Sequence, residues 1–321
     1  MSHEIETMAY YSGADMNNGI VMERMVPWHG IGTAVPHAMT SKEAMEAAGL
    51  DWTVEGRPIF TDSGIQIPGY VANTRSSDNS VLGVVSEKYQ IVQNADAFAF
   101  TDNLIGENCR YETAGSLKNS KSVFLLAKLP RTQILDDDVD QYLCFNNSFN
   151  GTGAIRCFIS PIRVVCQNTL NLALSKASRF WSCKHMGKME DKLAEATHTL
   201  GLANKYMDEL KIKADQYAHT KADNDKVKQV IAELFPINDD DSDRHKANMT
   251  KARNDFMVCY WMPDIRKFHG TEWAILNAAA DFADHTAPQR NTSTYQERNF
   301  ERVIVGHPIL DRVVEMMSVK A

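Results

Sequence analysis

The spacing of apolar residues changes once along this chain, and that change limits the folds open to it. Up to about Pro161, short runs of β-branched and aromatic residues alternate with turn formers, the pattern of strands joined by hairpins. IQIPGYVANTR and VLGVVSEKYQIV flank SSDNS, CRYETAGSL and SVFLLAKLP meet at LKNSK, and DQYLCFNNS and GAIRCFISPIRVVC flank FNGTG. Three hairpins are expected, with DWTVEGRPIF as a further strand. Two helices interrupt them: SKEAMEAAG, opened by Thr40 or Ser41 with Glu43 and ended by Gly49, and ADAFAFTDNLIGE. Beyond Pro161 apolar residues recur every three or four positions. TLNLALSKASRFW, MEDKLAEATHTLGLANKYMDELKIKADQYAH, DKVKQVIAELF, ANMTKARNDFMVCYW, GTEWAILNAAADFADH and ILDRVVEMM therefore read as helices.

This pattern predicts an α+β fold: a mostly antiparallel sheet with interposed helices in the first half, followed by an all-helical second half. Residues 1–40, rich in Gly, Pro and Met, read as an N-terminal arm, residues 41–189 as an α+β domain and residues 190–321 as a helical domain. A hydrophobic content of 44% supports a buried core. The opening MSHEIETMAYYSG has no basic segment followed by an apolar run, and no stretch of about 18 apolar residues occurs, so a soluble, cytoplasmic protein is expected. Cys109, Cys144, Cys157, Cys166, Cys183 and Cys259 form no CxxC pair, which fits reduced thiols.

The net charge of −7 is unevenly distributed. From Gln141 to Met189 there is no carboxylate, while Arg156, Arg163, Lys176, Arg179, Lys184 and Lys188 are all present. Such a segment would face a polyanion without competing acids and gain affinity from displaced counterions. Lys118 and Lys121 on the LKNSK turn, with Arg75 and Lys88, would add contacts. The alternative is a sheet-to-helix junction whose bases meet Asp136, Asp137, Asp138 and Asp140. Phe145, Phe149, Phe158, Phe180 and Trp181 interleave with the bases as stacking platforms would, although strand aromatics usually form core.

Cys166 with His185 suggests a thiol nucleophile, but RVVCQNTL has the hydrophobicity of a strand that buries its cysteine. Cys183 and His185 lack a second ligand pair for zinc. His29, between Trp28 and Gly30, has no partner visible in the sequence. The runs DDDVD and DDDSD lack the spacing of a cation loop, and no phosphate-loop, dinucleotide or hydrolase motif occurs. No metal, cofactor or catalysis is expected, the alternative being a hydrolase or nuclease that uses Cys166 with a histidine or a carboxylate cluster with a metal.

WHGIGTAV, GLDWTVEGRPIF, LGVVSEKYQIVQNADAFAFTDNL, TAGSL, FNGTGAIRCFISPIRVVCQNTLNLAL and GTEWAILNAAADFADH, in this order, resemble the phage- and plasmid-borne family catalogued as domain of unknown function 932. The resemblance spans about residues 28 to 286. It implies a mobile-element context and draws attention to Arg75, Tyr89, Gln93, Asn94, Arg163, Cys166, Asn168 and Thr169, the last two also placed to cap a helix. The element order is similar to that of RAD52-like single-strand annealing proteins, an analogy of pattern.

The expected function is therefore an accessory protein that binds nucleic acid, single-stranded DNA first, in recombination, replication or repair, annealing strands without catalysis. Arg75, Lys88, Lys118, Lys121, Arg156, Arg163, Asn168, Lys176, Arg179 and Lys184 are its expected contacts, in a homo-oligomer with no membrane partner. The rival reading is a module that binds and inhibits a host defence protein or nuclease.

Overall fold

Local chemistry places the first elements. Thr40 Oγ1 accepts the Glu43 backbone N–H, and the Glu43 carboxylate accepts the Thr40 N–H. This capping box starts helix α1 (Ser41–Ala47). The hairpins form where the turn residues lie. Strands β5 (Val54–Phe60), β6 (Gln66–Arg75) and β7 (Val81–Ser86) make an antiparallel three-stranded sheet in the order β5-β6-β7. Helix α2 (Asn94–Ile105) follows. The structure is a computed structural model that describes residues 5–12, 15–17, 20–22, 33–105, 110–135, 137–163, 180–188, 191–192, 194–196, 203–286 and 307–318.

A seven-stranded sheet is built from β1 (Ile5–Tyr11), β4 (Thr33–Val35), β8 (Tyr111–Leu117), β9 (Ser122–Ile134), β10 (Asp137–Ser148), β11 (Ile155–Arg163) and β12 (Phe180–Cys183). Its strand order is β12-β11-β10-β9-β8-β1-β4. Short strands β2 (Asp15–Asn17) and β3 (Ile20–Met22) pair with each other. Two of these strands depart from the sequence reading. Ile5–Tyr11 lies within the expected arm, yet it is a strand between β8 and β4, with Met8, Ala9 and Tyr10 buried. Phe180–Cys183 lies at the end of an expected helix, yet it pairs antiparallel with β11, Cys157 opposite Trp181. Residues 169–179 of that expected helix are outside the described residues.

The helices of the second half are α3 (Ala203–His219), α4 (Asn224–Leu234), α5 (Asp243–Tyr260), α6 (Glu272–His285) and α7 (Pro308–Ser318). Asp223, Ser242 and Thr271 cap α4, α5 and α6 through their side-chain oxygens. Every residue from Glu272 to Asp281 is buried, so α6 is covered all round, as a central helix is. Helices α3, α5 and α7 pack on it, and its alanines allow close approach. Apart from the parallel pairing of β1 with β4, the strand pairs described are antiparallel, and sheets followed by helices are the α+β architecture expected.

The chain divides into two compact units, and the division is discontinuous in sequence. One holds residues 1–129, 142–159 and 179–202, and the other holds residues 130–141, 160–178 and 203–321. A single cut near residue 189 does not separate them. Ile134 and Val139, at the ends of β9 and β10, belong to the same buried cluster as α3 to α7. No helix among the described residues is long and apolar enough to cross a membrane.

Candidate functional site

The end of β10 and the residues after it, Asn146 to Asn150, carry polar groups that burial would penalise unless each found a partner. Asn146, Asn147, Ser148 and Phe149 are all buried. Asn146 Nδ2 donates to Ser122 Oγ at 3.0 Å and to the Val123 carbonyl at 3.1 Å. Asn147 Nδ2 donates to the Val92 carbonyl at 2.8 Å, and the Asn147 carbonyl accepts Ser122 Oγ. The Ser148 carbonyl accepts the Tyr89 hydroxyl. The Phe149 N–H donates to the Lys121 carbonyl at 2.8 Å, and its own carbonyl accepts Asn73 Nδ2 at 2.8 Å. Three chain segments, at Asn73, at Tyr89 and Val92, and at Lys121 to Val123, are thereby tied to one strand end. The FNGTG turn closes on itself, Asn150 Oδ1 accepting Ser148 Oγ, Thr152 N and Thr152 Oγ1.

Two cation-bearing loops leave this centre. On the first, Lys118, Asn119 and Ser120 all have left-handed backbones, φ 59°, 56° and 59°. Three consecutive non-glycine residues in that region store strain that their surroundings must hold. The holding group is Arg75, at the end of β6. Its Nη1 donates to Ser120 Oγ at 2.6 Å, its Nε and Nη2 clasp the Asp78 carboxylate at 3.0 and 2.7 Å, and its guanidinium lies 5.8 Å from the Trp52 ring centroid. The Arg75 hydrogen bonds, followed by those from Ser80, hold the Asp78 carboxyl well below the usual carboxylate range. Ser120 Oγ continues to Ser116 Oγ, which meets Thr7 Oγ1.

On the second loop, Lys88 is exposed and Tyr89 stacks on His185, ring centroids 4.4 Å apart and planes 13° from parallel. Lys184, exposed beside His185, accepts Lys192 Nζ on its carbonyl at 2.9 Å. Arg156, half-buried on β11, lies opposite Ser182. Arg163 ends β11, and its side chain, with Asn168, Lys176, Arg179 and Cys166, lies outside the described residues. Of the ten expected contacts, Lys118 and Lys121 sit on one loop, which Arg75 reaches from β6 through Ser120, Lys88 and Lys184 flank the other, and Arg156 lies on β11.

Of the interleaved aromatics, Phe145, Phe149, Phe158 and Trp181 are all at least nine-tenths buried and so are core rather than platforms, and the side chain of Phe180 lies outside the described residues. Among the described residues of this unit, the exposed large aromatics are Phe60 and Tyr70 on the β5–β6 hairpin. Asp138 and Asp140 engage Arg131, and Asp137 engages Lys267 at 2.6 Å. Two residues singled out by resemblance are tethers: Gln93 pairs its amide with both the N–H and the carbonyl of Val54 at 2.9 Å, and Asn94 Nδ2 donates to the Leu50 carbonyl. Sequence reasoning missed the Tyr89–His185 pairing. Burial pushes the Cys157 thiol well up, so it is no ready thiolate. Among the described residues no cluster of three His, Cys, Asp or Glu side chains is placed to hold a metal ion.

A family model described as Domain of unknown function (DUF932) matches residues 81–304. No curated protein and no solved structure matches the chain.

Proposed function

The chain belongs to the DUF932 family, whose description names no activity, so we propose a function from the geometry of the first unit: it binds single-stranded nucleic acid, DNA in the first instance, by clasping phosphates between its two cation-bearing loops. One observation carries this reading. The loop of Lys118 and Lys121 and the loop of Lys88 are fastened to consecutive residues, Phe149 and Ser148, of one rigid strand end. Cations held on a fixed frame lose little freedom on binding, which favours affinity. Arg75 is a positioning residue: its guanidinium is engaged by Asp78 and Ser120, and it holds the strained turn from which Lys118 and Lys121 project.

Binding of this kind needs no bond-making. Phosphates held by lysines leave base edges free, which suits annealing by a homo-oligomer of an accessory protein in phage or plasmid recombination, replication or repair, working in the host cytoplasm. Arg156, Arg163, Asn168, Lys176, Arg179 and the exposed rings of Phe60 and Tyr70 extend the contact. The overall charge of −7 makes the affinity modest and sensitive to salt.

The test is fluorescence anisotropy of labelled single- and double-stranded oligonucleotides across a salt series, with wild type, the Lys118→Ala/Lys121→Ala pair and the Lys88→Ala/Lys184→Ala pair. The expected result is tighter binding of the single strand, with the slope of log K against log salt falling by about 0.7 for each phosphate that a variant no longer neutralises. Absence of binding even at low salt overturns the reading and leaves inhibition of a host defence protein or nuclease as its successor.

A further inference from the structure

The second loop holds an unusual buried group. His185 is only 3% exposed, and its Nδ1 stands 2.9 Å from the Gln90 carbonyl. That carbonyl can only accept, so Nδ1 carries the proton and Nε2 is a bare lone pair. Nε2 is buried and, among the described residues, has no hydrogen-bond partner. The Gln90 N–H returns the bond to the His185 carbonyl at 2.9 Å, and the imidazole lies flat on Tyr89, whose hydroxyl reaches the Ser148 carbonyl. Segments 95 residues apart in sequence are thus closed on each other by one side chain and one backbone pair. They carry Lys88 and Lys184.

We propose that the Tyr89–His185 stack is a latch that positions Lys88 and Lys184, and that it holds only while His185 Nε2 is unprotonated, so that acid releases these lysines and weakens strand binding. The regulatory half of this inference rests on the strand-binding reading. The physical cause is local. A proton on Nε2 creates a buried donor without an acceptor, and a buried cation without a counter-charge. Among the described residues, the groups acting on the imidazole are the Gln90 carbonyl, the Tyr89 ring and Lys192, whose ammonium repels an imidazolium. Tyr89 supplies no charge, since burial pushes its hydroxyl well up. Burial first, and Lys192 with it, hold the imidazole below its usual range against the opposing Gln90 bond. The folded-state value is therefore depressed. The latch contributes its full stability above the unfolded value of about 6.5 and loses it as pH falls from there through the folded value.

Ordinary electrostatics predicts the opposite trend for binding, because acid adds positive charge to the chain and strengthens attraction to phosphates. The experiment compares wild type with His185→Asn, whose Nδ2–H stands where the Nδ1–H did and does not titrate. Oligonucleotide anisotropy and amide exchange at Gln90, corrected for intrinsic rates, are read from about pH 8 to about pH 5.5, across the imidazole range. The expected result is a several-fold loss of affinity and of Gln90 protection on acidification in wild type, while in His185→Asn, which lacks the ring stack and starts from weaker protection and binding, neither falls on acidification. Wild-type protection that survives acid overturns the latch. Loss of protection without any oligonucleotide binding keeps the latch and overturns the strand-binding reading. Should His185→Asn not fold, the wild-type exchange profile alone decides whether the latch opens.

Discussion

At the scale of single residues, Arg75 is engaged by its own neighbours, Ser120, Asp78 and Trp52, so in the proposed function it positions a turn rather than touching the ligand. Its pair with the half-exposed Asp78 contributes little to stability, but its bond to the buried Ser120 hydroxyl and its place over Trp52 are protected from water. Arg75→Ala is expected to cost about 1–3 kcal/mol in urea unfolding, because Ser120 Oγ loses a partner. It should weaken strand binding more than removal of a single phosphate-binding lysine would, since the turn of Lys118 and Lys121 is released with it. Lys118 and Lys121 were legible as bases on a turn of polar residues. Tyr89, Gln93 and Asn94 stood out only through family resemblance, and Arg75 through that and as a base, because each acts on a segment distant in sequence. His185 looked like a base for Cys166 or a zinc ligand beside Cys183. Its true neighbour, Gln90, gives no local signal.

At the scale of elements, turn chemistry made the hairpins readable and backbone distance hid the rest. The SSDNS, LKNSK and FNGTG turns sit where the strands reverse. Strand β1 was hidden because its antiparallel partner is over a hundred residues away, Thr7 meeting Ser116. Strand β12 was hidden because Phe180 and Trp181 continue a helical spacing. The left-handed turn at Lys118 to Ser120 tolerates Asn119 because asparagine adopts positive φ more readily than other non-glycine residues. Asn119→Val is expected to cost about 1–2 kcal/mol with no change of charge, and to loosen binding through Lys118 and Lys121; thermal unfolding and anisotropy check this together. The FNGTG turn lies hard against β7, where a Cβ on Gly83 would stand 2.5 Å from the Asn150 Cα. Backbone must therefore move in Gly83→Ala, at a cost of about 1–3 kcal/mol in urea unfolding.

At the scale of the whole molecule, the chain passes between its two compact units repeatedly, so neither unit is a contiguous stretch. Composition and periodicity gave the α+β character and the helical second half, yet they suggested a boundary near residue 189 because the change in spacing is all a sequence displays. The ends of β9 and β10 place Ile134 and Val139, 2% and 0% exposed, in one cluster with the helices of residues 203–318. A fragment of residues 1–189 is expected to expose both, bind a hydrophobic dye and self-associate, as size-exclusion chromatography would show; a monomeric, dye-negative fragment would contradict this. The central claim is that the two loops fastened to the end of β10 hold a single strand. Ultraviolet cross-linking to a single-stranded oligonucleotide, with the attachment sites mapped by mass spectrometry, tests it most directly. The account predicts attachment in the peptides containing Lys88 and Tyr89, Lys118 to Lys121, and Lys184 to Met186, suppressed by added salt. Attachment confined to other peptides, or none above background at low salt, would contradict it.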